Sequence, residues 1–442
     1  MAAIRSRGRF GVSLGLARIE LLLDRLDHPE RALRGALVAG TNGKGSVLAL
    51  AASALAAAGH SVGTMPKPHL VHYRERIMRN GQPLAEDAFG VVVGAAVEVA
   101  DQLSGQHGPP TEFEVLTAAG FLALARDPVD VALVEVGMGG RLDATNAADL
   151  GVAAVTTIQH DHERHLGRTL AAIGAEKAAI IKRGDLAVTG AGGRGLAPVV
   201  TRAAAVGAPL RRAGRQQPWE ATVLDSTWDG LVVTLRTPWG TLTDVTIGLL
   251  GSHQAANVAV AAALLEALGE DGERRGRPLI VDEVALRAGL AAAHWPGRLE
   301  RLPAAFAGRD VLLDGAHNPA GARALARALG ELGMRRFPMV FGAMRGKRVA
   351  DVLRALAPLE PLPVFTAVAD PHAHKPEVLL RTWRRVAPDA RGTASGATAS
   401  TPAAALARAT DLGDPRVPVL VAGSLYLVGA VRAILGGEVP DP

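Results

Sequence analysis

The chain has 442 residues, 48% hydrophobic and 21% charged, which gives room for two or three soluble domains, each with its own core. Its net charge of +5 and aromatic share of 3% come with basic residues interleaved among acids and few stacking platforms, which disfavours nucleic acid and suits small anionic substrates. The absence of cysteine excludes disulfides and thiolate metal sites, and every long apolar stretch is interrupted by charge, against a membrane span. The expectation is a cytoplasmic monomer with small-molecule partners, no nucleic acid and no membrane.

At the N-terminus, Arg5, Arg7 and Arg9 precede a segment with Arg18, Glu20, Asp24 and Arg25. Those charges spoil a signal-peptide core and predict an amphipathic helix. ALVA (36–39), VALVEV (131–136), VAAVTTI (152–158) and LAVTG (186–190) are short apolar runs bounded by Gly or Asp. They read as buried parallel strands separated by helices. One helix is predicted from Ser46 to Ala58, stopped by Gly59, and another from Leu170 to Arg183, capped by Thr169 and ended by Gly184. Residues 218–248 alternate in period two with turn signals at Asp229-Gly230 and Pro238-Trp239-Gly240, which is antiparallel hairpin sequence. A strongly helical segment follows at 253–268. Strand-like VLLD (311–314), PMVFG (338–342), PVFTAV (363–368) and PVLVAG (418–423) then alternate with Ala/Leu/Arg-rich helices, and GTASGATAST (392–401) reads as a surface loop. The pattern is α/β, with two doubly wound domains joined near residues 297–300.

Chemistry concentrates where strands run into helices. ALVAGTNGKGSV (36–47) carries glycines, Lys44 and an oncoming helix, which together suit a phosphate. It departs from G-x-x-x-x-G-K-[ST], having Val38 and Gly45 where glycine and a hydroxyl belong. Ser46, one place late, can still reach a phosphate or its metal; a plain tight turn is the other reading. Glu135 ends a buried strand before a glycine-rich turn, where open sheets hold ligands and metals. His160, Asp161, His162 and His165 cluster after the next strand. Their spacing supports a closed zinc site poorly and is more compatible with one histidine joining a carboxylate around magnesium. Asp314, His317 and Asn318 mark a further strand-to-helix turn, as ribose or capping residues.

Read in order, RFGVSLGLARIELLLDRLDHPE, VAGTNGKGS, PHLVHYRERI, TEFEVLTAAGFLA, VEVGMGGRLDATN, DHERHLGRTLAAIGAEKAAIIK, WPGRLE, DGAHNP and GSLYLV resemble the signatures of the folylpolyglutamate synthase and dihydrofolate synthase family of the Mur ligase superfamily. The resemblance covers nearly the whole chain. It implies an N-terminal P-loop-type ATPase domain with a small antiparallel insertion (1–297) and a smaller Rossmann-like domain (298–442). It also implies an ATP-dependent ligase that joins L-glutamate to dihydropteroate, to reduced folates, or to both, through an acyl phosphate. A single-activity enzyme, a peptidoglycan-type ligase and a nucleotide-binding protein with impaired catalysis are the alternatives.

Carried over by position, Gly43, Lys44, Gly45 and Ser46 match the phosphate grip, and Ser46, Glu135 and His162 the magnesium ligands. Asn257, Arg298 and Asp314 match nucleotide contacts, and His317 and Ser424 the glutamate side. Thr111, Glu112, Phe113, Glu114, Leu142, Asp143 and Ala144 match the pterin side. Lys177 matches a lysine carbamylated in many relatives, and the implied cofactors are ATP and magnesium, with potassium as an addition. Where the family has a serine oxygen serving magnesium, MPKPHL puts Lys67. An ammonium has no lone pair, so Lys67 is expected to turn outward or approach the γ-phosphate, altering magnesium dependence.

Overall fold

The apolar runs become the centre of an eight-stranded sheet in the computed structural model, which describes residues 7, 15–103, 108–390 and 392–441, without the side chain of Thr393. Arg5, Arg9 and the residues through Leu14 that open the first motif lie outside the described residues. The strands lie in the order Gln82–Pro83, Met78–Arg79, Val62–Met65, Val131–Glu135, Gly35–Ala39, Gly151–Val155, Leu186–Thr189 and Leu210–Arg212. The first two are an antiparallel edge; the others run parallel. The strands at 35–39, 131–135 and 151–155 are buried along their whole length, because helices cover both faces. Alternation divides the core. Leu37, Ala39, Val134 and Val155 pack with the helices Ala17–Arg25, Glu86–Gln102 and Glu112–Arg126, while Ala36, Val38, Leu133 and Ala154 pack with Lys44–Ala57 and Gln254–Arg274.

The period-two region folds as three antiparallel strands, Glu220–Thr227, Gly230–Thr237 and Gly240–Ile247. Leu231, Val233, Leu235, Val245 and Ile247 point into the second of those cores. A six-stranded sheet follows, ordered Glu300–Phe306, Arg309–Asp314, Val419–Ala422, Pro338–Phe341, Leu362–Phe365 and Ala397–Thr398, parallel except for its first hairpin. Among the described residues, no helix is long and apolar enough to cross a membrane.

Two expectations are corrected. The helix capped by Thr169 ends at Ala178, not Arg183; Ile180 and Ile181 turn into the core, and Asp185 accepts from the Lys182 amide at 2.7 Å. The stretch 392–401 is not only a surface loop: after a turn at Gly392–Ser395, Ala397–Thr398 pairs at the edge of the second sheet. Trp383 Nε1 donates to the Ala394 carbonyl at 2.9 Å and holds the segment down.

The helix Glu283–Ala292 lies on Lys44–Ala57, and Gly289 makes the approach possible. A methyl there would stand 2.6 Å from the Ala54 nitrogen and 2.7 Å from the Ser53 carbonyl oxygen. Gly289→Ala gains about 1 kcal/mol of helix propensity, but these obstacles are backbone, so the overpacking cost of about 1–3 kcal/mol prevails at its upper end. The variant is expected to unfold at lower urea concentration than the parent, measured by circular dichroism.

Candidate functional site

Both sheets end on a common cleft of about 520 Å³. The loop after Ala39 and the end of Val131–Glu135 are neighbours because Val38 pairs with Glu135 across the central strands. The loop is clamped: the Thr41 amide donates to the Thr157 carbonyl at 2.7 Å and Thr156 Oγ1 to the Asn42 carbonyl at 2.7 Å. Gly43 adopts φ +87°, and a side chain there would strike the Asn257 carboxamide. A methyl on Gly45 would lie 2.5 Å from Trp295 Nε1. Gly43 brings no capping side chain, and the first backbone bond of the helix is Val47 to Gly43 at 2.9 Å. The amides of the first turn are therefore available to an anion at the positive end of the helix dipole.

Charged groups crowd beneath this loop. Lys44 Nζ donates to the Gly40 carbonyl at 3.2 Å and lies 3.7 Å from Glu135 Oε1. Lys177 Nζ donates to the same carbonyl at 3.0 Å. Burial, then the nearby Lys44 charge, lowers the Lys177 amine to about 7. Burial raises the Glu135 carboxyl despite the opposing pull of Lys44. His162 is pushed down to about 4, first by burial and then by Lys347, leaving a neutral imidazole with a free lone pair near neutral pH. A buried carboxylate, a neutral imidazole and the buried Ser46 hydroxyl form a donor set that fits a divalent cation shared with phosphate oxygens. No three carboxylate or imidazole groups are placed to hold a metal by themselves among the described residues, which suits an ion that keeps waters and phosphates as ligands.

Across the cleft, Asp161 joins the two sheets. It accepts from Lys347 Nζ at 2.8 Å and from Asn318 Nδ2 at 3.3 Å, and lies 3.5 Å from His317 Nε2. Burial pushes its carboxyl up, but the hydrogen bond from His317 and the Lys347 charge overrule this and hold it well below the ordinary range. Asn318 Nδ2 also donates to Asn42 Oδ1 at 3.0 Å. His317 Nδ1 donates to the Gly315 carbonyl at 2.9 Å, which fixes the ring. Asp314 receives the Leu299 and Ala316 amides, both at 2.8 Å. Ser424 caps the helix Leu425–Gly436 through the Tyr426 amide at 3.2 Å.

The other end of the cleft contains Thr111–Glu114 and Leu142–Ala144. Glu114 is committed to structure, forming a capping box with Thr111 and an ion pair with Arg18 at 2.9 Å. Asp143 is likewise tied to Met138 and Thr145. Glu112 accepts from the Tyr73 hydroxyl at 3.2 Å, while its buried Oε2 lacks a protein partner. Lys67 does not turn outward. Its ammonium lies 4.0 Å over the Phe113 ring and 3.5 Å from Thr117 Oγ1, where the ring face attracts it and the Arg76 charge opposes it. Its backbone amide donates to Glu135 Oε2 at 3.1 Å.

The residues carried over by position all line this one cleft, whereas His160, His165 and Asn318 do not. Among its charged and imidazole side chains, sequence reasoning did not assign Arg76, Asp161, His253 and Lys347. Asp161 was visible only within a histidine cluster, and Lys347 only as a residue beyond a strand end. His253, whose Nδ1 is buried without a protein partner, carried no local signal, and Arg76 stood within PHLVHYRERI without a role.

A phosphate loop on one open sheet, facing a second open sheet across a charged cleft, defines a two-domain ATP-dependent ligase. The Mur ligase middle domain matches residues 38–265 and the Mur ligase glutamate ligase domain residues 297–425. Dihydrofolate synthase/folylpolyglutamate synthase of Bacillus subtilis (strain 168) is 33% identical, the match covering 97% of this chain and 96% of that protein. Mycobacterium tuberculosis folylpolyglutamate synthase complexed with ADP and AMPPCP superposes with a TM-score of 0.87 at 34% identity, over 100% and 99% of the two chains. The bifunctional folylpolyglutamate synthase/dihydrofolate synthase of Yersinia pestis c092, complexed with AMPPNP and Mn ion, gives 0.82 at 28% identity, over 98% and 97%. The chain belongs to the Mur ligase family, in its dihydrofolate synthase/folylpolyglutamate synthase group. It is an ATP-dependent ligase.

The clasp yields a test. The pair Asp161–Lys347 is partly buried, with side chains 11% and 21% exposed, so its coupling should fall between surface and fully buried pairs, at about 1–3 kcal/mol. A double-mutant cycle with Asp161→Asn and Lys347→Met, followed by urea unfolding, is expected to return that coupling.

Proposed function

We propose that the chain couples ATP cleavage to amide formation between L-glutamate and a pteroate or folate acceptor, with residues 1–297 holding the ATP phosphates and pterin and 298–442 the incoming glutamate and part of the nucleotide. The observation that carries this reading is the convergence of Lys44, Glu135, His162 and Lys177 beneath the phosphate loop, opposite Asp314 and His317. The first-turn amides and Lys44 grip the phosphates. Asn257, Arg298, Asp314 and the unpartnered His253 nitrogen serve the rest of the nucleotide. The open Glu112 oxygen suits a pterin N–H, and Leu142–Ala144 wall the same pocket. An acceptor carboxylate oxygen attacks the γ-phosphorus, ADP departs, and an acyl phosphate results. The glutamate amine then attacks the acyl carbon, loses a proton, and the tetrahedral adduct expels phosphate. Lys44 meets charge accumulating on the transferring group, while His317, Lys347 and Ser424 position glutamate. Ser46, Glu135 and His162 would hold the divalent cation, which neutralises phosphate charge when bound.

The mechanism is tested by labelling both oxygens of the acceptor carboxylate with heavy oxygen and supplying ATP and L-glutamate. One labelled oxygen is expected in the released phosphate, with dihydropteroate, with a reduced folate, or with both. Turnover that leaves the phosphate unlabelled rules out the acyl phosphate. Turnover of one acceptor alone identifies a single-activity enzyme, and a folded, ATP-binding protein inactive on both overturns the reading.

Lys177 is assigned as a carbamate in the working enzyme. Its nitrogen bonds to the carbon of carbon dioxide with release of a proton, giving a carboxylate-like group beside the phosphate site in place of an ammonium. The reaction needs the free amine, which predominates above about 7 and declines as pH falls below that value. Activity is therefore expected to fall in carbon-dioxide-depleted buffer, more steeply at lower pH, and to return with bicarbonate. Insensitivity to bicarbonate across this range would exclude the modification.

A further inference from the structure

Lys67 carries a positive charge into the acceptor end of the cleft with almost nothing to answer it. Its side chain lines the cavity, and its ammonium reaches Thr117 Oγ1 at 3.5 Å, with the Phe113 ring on one flank. Among the described residues no carboxylate forms an ion pair with its ammonium. The two acids nearby are already occupied. Asp143 Oδ1 receives Thr145 Oγ1 at 2.6 Å and the Thr145 amide at 3.1 Å, and Oδ2 receives the Met138 amide at 2.9 Å. Glu135 faces Lys44 and takes the backbone amide of Lys67 itself. An ammonium has three donors, and a desolvated cation without a counter-charge is costly. The missing partner is an anion brought by the ligand.

Its source follows from position. Through its amide Lys67 touches the carboxylate beside the phosphate loop, and through its ammonium it touches Phe113 at the acceptor end. It therefore stands between the reacting end and the ring-binding end. Dihydropteroate has a single carboxylate, which must go to the γ-phosphate. A folate that already bears glutamate has the reacting γ-carboxylate and an α-carboxylate beside it. We propose that Lys67 is a specificity-determining residue that pairs with this additional, non-reacting carboxylate, and so favours glutamate-bearing acceptors over dihydropteroate. The inference rests on the reaction proposed above.

The test measures kcat and KM for dihydropteroate, for a reduced folate monoglutamate and for ATP in the parent, Lys67→Met and Lys67→Arg. Lys67→Met keeps the length and the backbone amide but removes the charge. It is expected to lower kcat/KM for the monoglutamate about 10- to 100-fold, the scale of one charge-assisted hydrogen bond, chiefly through KM. The loss on dihydropteroate is expected to be smaller, so the ratio between acceptors shifts about tenfold. Lys67→Arg, which retains the charge, should keep most of the parental preference, and its activity shows that the site tolerates substitution. Equal losses on both acceptors, or a loss residing in the KM for ATP, would overturn the assignment and place the ammonium on the phosphate side. An unchanged ratio in a folded, active Lys67→Met would also overturn it. A parent inactive on both acceptors instead brings down the reading of the reaction.

Discussion

The pairing of Gly35–Ala39 with Val131–Glu135 is the constraint on which the site depends. With Val38 opposite Glu135, the carboxylate leaves its strand beside the point where the phosphate loop leaves its own. A slip of one residue would turn Glu135 and every core side chain of that strand to the opposite face. The register is guarded because both faces are covered: Leu133 belongs to one core and Val134 to the other. Burial of these short strands thus locates a charge, and the loop glycines complete the arrangement by letting Asn257 and Trp295 approach the backbone.

That location creates an electrostatic imbalance which the protein alone does not resolve. Lys44 and Lys177 share one carbonyl acceptor, Gly40, and Glu135 is the nearby carboxylate that faces Lys44. The lowered Lys177 amine, the raised Glu135 carboxyl and the lowered His162 all have burial as their largest cause. Burial thus works against charge on each of these groups, and phosphates and a cation would restore charge to the cluster. The contrast is Asp161, where partners outweigh burial and the carboxylate stays ionised. One cluster lacks the charge that ligands would bring; the other pairs its own charges and ties the halves of the molecule together.

The sequence signals differ in the same way. Strands such as VALVEV and PMVFG were legible because full burial demands continuous apolar runs, and turns such as Asp229-Gly230 because backbone geometry demands those residues. The phosphate loop was legible despite its unusual spacing, since glycine, lysine and helix onset lie together. Asp161 and Lys347 were not, because their partnership spans 186 residues and leaves no local pattern. The end of the helix at Ala178 was missed for another reason: Lys182 and Arg183 resemble a helix terminus, yet Lys182 donates to the Ala148 carbonyl at 2.7 Å. Tertiary contact there overrides local charge preference.

Lys67 shows how one residue can divide its duties between backbone and side chain. Its amide supports Glu135, a task any non-proline residue at this position can perform. Its side chain is then free to vary without disturbing the carboxylate, and in this chain it reaches the Phe113 face rather than the phosphates. Cations already present under the loop make the phosphate side electrostatically unfavourable for a further ammonium, whereas the aromatic face and the Thr117 hydroxyl make the acceptor side acceptable. The two contacts are independent: the side chain marks the Phe113 end of the cleft, while the backbone contact to Glu135 stays in place.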